Sequence, residues 1–146
     1  MTMIIRELEQ YDDFEQFAAL LNHLSPTIIE NQDWFTRILQ EHWLNGYKIL
    51  VALDKDVIVG TVSLGFKPNF IRNGAMAAQI NDLVVLPEYR GLHVAFKLIN
   101  QCIYICQNYL WPVYKIILDC KDELGQFYEK QGFKRVGGCF RLDLGG

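Results

Sequence analysis

The spacing of apolar residues along this chain divides it into strand-like and helix-like segments. Ile4 to Leu8 is a short apolar-rich run that predicts a strand. Phe14, Phe17, Ala18, Leu21 and Leu24 then recur at helical spacing and share one face. Asp12-Asp13 can cap the start of that helix, and Ser25-Pro26 ends it because proline cannot continue a helix. A second helix runs from near Asn31 to Trp43, with Trp34, Ile38 and His42 on one stripe and Gly46 beyond its end. Tyr47 to Leu53 and Val57 to Phe66 are rich in β-branched residues and flank Asp54-Lys55-Asp56, which reads as a hairpin. Lys67-Pro68-Asn69 opens a loop, and Ala75 to Leu86 is a further long strand stopped by Pro87.

The second half alternates strand and helix. The loop Glu88 to Leu92 leads into a helix with Val94, Leu98, Cys102 and Cys106 on one face, ending before Trp111-Pro112. Tyr114 to Cys120 reads as a strand containing the buried-looking run Ile116-Ile117-Leu118. Asp122 to Gln131 reads as a short helix with Gly132 as its C-terminal cap. Phe133 to Leu144 is expected to supply the last strand or strands. Antiparallel strands followed by strand–helix–strand–helix–strand predict an α/β fold, with a mixed sheet and helices on both faces.

Composition narrows this picture. The 146 residues suit a single domain spanning 1–146, and 51% hydrophobic content is enough to bury a core. The 14 basic residues are outnumbered by 17 acidic ones, a net charge of −3, which argues against nucleic acid or an anionic membrane as the main partner. Charge precedes any apolar stretch long enough for a secretory signal, and no segment is long enough to span a bilayer, so a cytoplasmic protein is expected. The four cysteines, Cys102, Cys106, Cys120 and Cys139, lack paired metal-ligand spacing. They are expected to be reduced thiols, two on a helix and two on strands, with no metal bound.

Two stretches carry candidate chemistry. In Ile80 to Ala95 a strand runs through a tight loop holding Arg90 and Gly91 into a helix start. Converging backbone N–H groups and the positive helix end suit a phosphate, although Gly91 could equally serve the turn alone. In the second stretch, Leu118-Asp119-Cys120 is followed by a helix carrying Tyr128, whose phenol could reach back to the strand ends as a proton donor or could simply pack on its ring.

Together these stretches resemble the GNAT superfamily of acetyl-CoA-dependent N-acetyltransferases. That superfamily's loop pattern, Gln/Arg-x-x-Gly-x-Gly/Ala, is met at Arg90 and Ala95, with His93 in place of the middle glycine. Asn81-Asp82-Leu83-Val84-Val85, Tyr89-Arg90-Gly91, Tyr114 to Cys120 and Phe127 to Phe133 are most similar to glucosamine-6-phosphate N-acetyltransferases. Asn69-Phe70-Ile71-Arg72-Asn73 resembles a loop of the same family.

The resemblance implies that the backbone of Leu83, Val84 and Val85 pairs with the pantetheine arm of acetyl-CoA. It also implies that Arg90, Gly91, Leu92, His93, Val94 and Ala95 hold the pyrophosphate. Tyr128 would protonate the departing thiolate, and Asp119 would help position the acceptor amine. Thr27, Arg72, Asn81, Asp82 and Asp119 fall at substrate-contacting positions, with Arg72 near the sugar phosphate. Asn81 stands where the family commonly has Glu, and Leu124 where it commonly has Asn. The implied activity is acetyl transfer to the amine of D-glucosamine 6-phosphate by a homodimer. A GNAT enzyme for another small amine or a protein N-terminus is an alternative, and so is a CoA-binding module with little catalysis. His23 and His42 are expected to be structural, Trp34 and Trp43 to be core residues, with a role lining an acceptor site as the lesser alternative, and His93 to contribute its backbone.

Overall fold

The structure is a computed structural model and describes residues 2–145; the two end residues of the expected 1–146 domain lie outside them. Five strands form one sheet in the order β1 (Met3–Glu7), β2 (Tyr47–Asp54), β3 (Val57–Pro68), β4 (Met76–Val85), β5 (Val113–Leu118). The first four are antiparallel neighbours, and β5 joins β4 in parallel. The expected mixed sheet with helices on both faces is therefore observed.

α1 (Phe14–Leu21) starts at Asp13, whose carboxylate accepts from the backbone N–H groups of Glu15 and Gln16. The helix ends before Leu24, which lies outside it and is half exposed; Leu20 takes the buried place instead. α2 (Gln32–Leu44) is capped by Asn31, and Phe35 and Leu39 turn inward. These two helices cover one sheet face, where Phe17, Leu20, Phe35 and Leu39 pack with Ile49, Val51 and Ile58. α3 (Val94–Gln107) covers the other face, burying Val94, Leu98, Ile99, Cys102 and Cys106 against Leu50, Val62, Leu64, Ala78 and Ile80. Because β2 is covered on both sides, its run Ile49 to Leu53 is buried without alternation. α3 approaches β3 so closely that a Cβ on Gly60 would lie 3.0 Å from a Val94 methyl.

The C-terminal region departs from expectation. Phe133 to Leu144 forms no strand, and Phe140, Leu142 and Leu144 are almost completely exposed. Gly137 has φ +65°, an interruption in the extended backbone a strand would require. β5 is consequently an open edge: Ile117 is 41% exposed, and the run Ile116-Ile117-Leu118 is not buried as a block. Cys120 lies in the loop after β5 and Cys139 in the irregular tail, so neither is on a strand. The expected helix over Asp122 to Gln131 is a single 3-10 turn followed by the short α4 (Gly125–Glu129).

Candidate active site

The site begins with an irregularity in β4. Thr61 of β3 faces Val84, but Ser63 faces Asn81, so Asp82 and Leu83 together oppose Val62. This is a β-bulge, and Asp82 takes φ +55° within it. The extra residue reverses the facing of side chains: Ala78 and Ile80 point to α3, whereas four residues beyond Ile80 it is Val84 that points to α1 and α2. The parallel pairing with β5 stops just before the bulge, at Ile80↔Leu118. From Asn81 to Val85 the strand keeps β3 on one side and, among the described residues, has no strand on the other. Leu83, Val84 and Val85 thus present unpaired backbone along one edge, as a ligand-pairing strand requires.

Beyond β4 the chain makes a 3-10 turn, Pro87–Tyr89, and enters the loop. Arg90 donates its backbone N–H to Pro87 and Leu92 to Tyr89, while Gly91 adopts φ +81°, a conformation that favours glycine. His93 precedes α3 in the left-handed region at φ 63° and gives the helix no side-chain cap. The first N–H groups of α3 are therefore left without a protein acceptor, at the positive end of the helix. Arg90, Gly91, Leu92 and His93 are exposed around them. This arrangement fits a pyrophosphate held by backbone N–H groups and explains how a chain of net charge −3 can take an anion.

Tyr128 is 8% exposed and packs into the cluster that also holds Ile80, Val85 and Val94, with Phe127 and Phe133 edge-on to its ring. Burial, and secondarily the neighbouring Cys120, pushes its phenol above the ordinary tyrosine value. The phenol therefore carries its proton at neutral pH, as a proton donor must. Asp119, Cys120 and Tyr128 share a cavity of about 400 Å³ that curves around the end of β5 and is closed on one side by Arg135 to Cys139.

Thr27 and Asp82 meet at a second cavity, of about 200 Å³, between the sheet and α1/α2. Thr27 is held by Asn22, which accepts from its backbone N–H and donates to its carbonyl. Trp34, Ile38 and His42 line this cavity and are only half buried. The expectation that Trp34 is a core residue is thus corrected, and Trp43 is 44% exposed. The signal was present in the sequence: Phe35 and Leu39 supply an inward stripe next to the Trp34 stripe, and α2 needs only one of them for the core.

Two sequence-predicted residues line neither cavity. Asn81 accepts from the Gln79 side chain at 3.3 Å, beside the bulge. Arg72 lies in the β3–β4 loop with its guanidinium 5.2 Å from the centre of the Tyr114 ring, at the start of β5. That loop is tied to the β5 start by Trp111 donating to Gly74 and by Met76 donating to Pro112. At about 3.3 Å per residue, β4 separates this end from Asp82 by roughly 20 Å. Within one chain, Arg72 does not join Asp82, Asp119 or Tyr128. The sequence reading also missed Asp54, which accepts a 2.7 Å hydrogen bond from the Tyr89 hydroxyl just ahead of the glycine loop.

A strand opened by a bulge, running into an uncapped helix start, with a buried phenol in the same apolar cluster, is the arrangement of the acyl-CoA-dependent acetyltransferase class. Residues 14–133 match the Acetyltransferase (GNAT) family, and the chain belongs to that family. A probable glucosamine 6-phosphate N-acetyltransferase of Drosophila melanogaster is 34% identical over 93% of this chain, which spans 63% of that relative's length. Glucosamine 6-phosphate N-acetyltransferase 1 of Dictyostelium discoideum is 32% identical over 86% of this chain and 82% of its own. Among solved structures, a Trypanosoma brucei acetyltransferase superposes with TM-score 0.91 at 32% identity, covering 98% of this chain and 100% of its own. The glucosamine-6-phosphate N-acetyltransferase of Arabidopsis thaliana also gives 0.91, at 29% identity, over 99% of this chain and 100% of its own.

Proposed function

We propose that this chain is a cytoplasmic, single-domain enzyme that moves acetyl from acetyl-CoA to the amine of D-glucosamine 6-phosphate, giving N-acetylglucosamine 6-phosphate. The observation that carries the reading is the continuous path from the unpaired edge Leu83–Val85 to the uncapped N-terminus of α3, with Tyr128 buried in the same apolar cluster as Val85 and Val94. The names borne by relatives over most of the chain support the sugar as acceptor.

In this reading Leu83, Val84 and Val85 align the pantetheine arm, and Arg90 to Ala95 hold the pyrophosphate. The acceptor nitrogen bonds to the acetyl carbon while a strand N–H stabilises the developing oxyanion. The carbon–sulfur bond then breaks, and Tyr128 gives its proton to the leaving thiolate. Asn81 is an amide and cannot take the amine proton, so that proton leaves through Asp82, Asp119 or water. Asp82 and Thr27 face the acceptor, and Asp119 positions its amine from the Tyr128 cavity.

The sugar phosphate is assigned to Arg72 of a second copy, since Arg72 lies a strand length from Asp82 within one chain. The open β5 edge and the apolar tail residues Phe140, Leu142 and Leu144 support a homodimer. Sedimentation tests it: a monomer at assay concentration contradicts the shared site.

A second reading, acetylation of another small amine or a protein N-terminus, is favoured by one observation. The cavity beside Asp82 is mainly apolar, and no Lys or Arg is among the described residues that line it. A thiol-release assay with acetyl-CoA decides between the two. Turnover on the sugar phosphate exceeding that on apolar amines and peptides supports the first reading, and the reverse order overturns it. A CoA-binding module would bind acetyl-CoA and release no thiol with any of these acceptors.

A further inference from the structure

The glycine loop has no side-chain cap and an exposed surface, yet it follows an anchored residue. Tyr89 ends the 3-10 turn immediately before Arg90-Gly91, and its hydroxyl donates to Asp54 at 2.7 Å across the molecule. Asp54 is itself held on both sides, being the last residue of β2 and paired with Met3 of β1 and Val57 of β3. The turn beyond it, Lys55-Asp56, has φ 49° and 68°, the tight primed geometry that fixes hairpin register. On the other side of Tyr89, Leu86 donates its N–H to Val59, and the Tyr89 carbonyl accepts from Leu92 within the loop. Tyr89 is thus the joint between the rigid hairpin end and the loop.

We propose that Asp54 and Tyr89 are positioning residues that hold the loop Arg90 to Ala95 in its anion-binding shape. This inference rests on the reading of that loop as the acetyl-CoA pyrophosphate site. Asp54 is not a ligand: a carboxylate repels a pyrophosphate, so its charge near the loop opposes binding while its hydrogen bond favours it. The two effects have opposite signs, which separates positioning from direct contact. The bond to Asp54 keeps the Tyr89 phenol above its ordinary value, so it remains a donor throughout the neutral range.

The experiment is calorimetric titration of acetyl-CoA into the wild type, Tyr89→Phe, Asp54→Ala and Asp54→Asn, with steady-state rates and melting temperatures for each. Loss of a hydrogen bond to a charged acceptor is expected to weaken acetyl-CoA binding by about tenfold in Tyr89→Phe and Asp54→Ala. KM for acetyl-CoA rises in parallel, and kcat stays within about twofold because the reacting groups lie elsewhere. Asp54→Asn retains an acceptor oxygen and removes the repelling charge, so it binds as tightly as the wild type or more tightly. The proposal is overturned if Asp54→Asn is as weak as Asp54→Ala, if Tyr89→Phe binds like the wild type, or if the loss falls on kcat. A lowered melting temperature with unchanged binding in Tyr89→Phe assigns the bond to stability alone and also overturns it. A wild type that binds no acetyl-CoA overturns the functional reading itself, and this outcome is distinct because it precedes any variant.

Discussion

The two halves of β4 have similar apolar content and opposite surroundings. Met76 to Ile80 is paired with β3 on one side and β5 on the other, and Ala78 is inaccessible to solvent. Asn81 to Val85 is paired with β3 alone, and no described strand lies along its other edge. Both halves send side chains into the core, but only the second leaves one backbone edge without a strand partner. One strand can serve both purposes because the bulge at Asp82-Leu83 lets β4 bend from β5 while staying registered on β3. On the proposed function, a binding edge is made by withdrawing a neighbouring strand, and a modestly acidic chain then needs no basic patch to take the cofactor.

The comparison is broken most severely at the open half. Tyr128→Phe removes the proposed proton donor and keeps the packing, so kcat should fall by about 100-fold or more, with acetyl-CoA affinity within about twofold. Stopped-flow thiol release and calorimetry measure the two quantities. Because burial holds the phenol above its usual value, the wild-type rate should show no alkaline loss attributable to Tyr128 between pH 6 and 9, a range set by the upward direction of the shift.

At the closed half the sign of the experiment reverses. Ala78→Leu overfills a fully enclosed site and should cost about 1–3 kcal/mol of stability in urea unfolding, with acetyl-CoA affinity unchanged in the fraction that folds. A large affinity change from Ala78→Leu would show that the halves are not independent.

His93→Gly sharpens the comparison at the junction of strand and helix. His93 sits at φ 63° without capping α3, so glycine there should raise stability by about 0.5–1 kcal/mol in thermal unfolding. A loss of stability would mean that the imidazole itself makes a stabilising contact.

The smallest effect lies away from β4 and acts as a control. Burial works against the Asp12 carboxylate, but the two-pronged Arg6 bond and the Glu9 N–H outweigh it and lower its pKa. Its contribution is therefore present above the unfolded-state carboxylate value and is lost as pH falls through the lower folded value. Asp12→Asn should cost less than about 1 kcal/mol at pH 7 and progressively less in acid, with no effect on catalysis.

Much of the framework is visible in the chain itself. Asp13 and Asn31 cap their helices, Lys55-Asp56 forms the hairpin turn, and Val94, Leu98, Cys102 and Cys106 make one buried stripe, all from local chemistry and periodicity. Cys102 and Cys106 are buried thiols whose pKa values rise to about 12 and about 11 through desolvation, consistent with reduced core packing. The tail was misread because apolar residues at Phe140, Leu142 and Leu144 suit a strand but do not say which edge, if any, they pair with. Trp34 was misread because apolar spacing marks an inward face but not whether the inside is filled.

The candidate site divides along the same line. Local sequence determined the glycine at the loop, the helix that follows it, and the tyrosine after β5. Only the tertiary structure decided that β5 leaves β4 at Ile80, that Asp82 swells the strand, that Arg72 lies at the far end, and that Asp54 holds Tyr89. The physical reason is range. Caps, turns and periodicity are set by residues a few positions apart, whereas strand edges and cavities depend on where distant segments stop pairing, which no local pattern encodes.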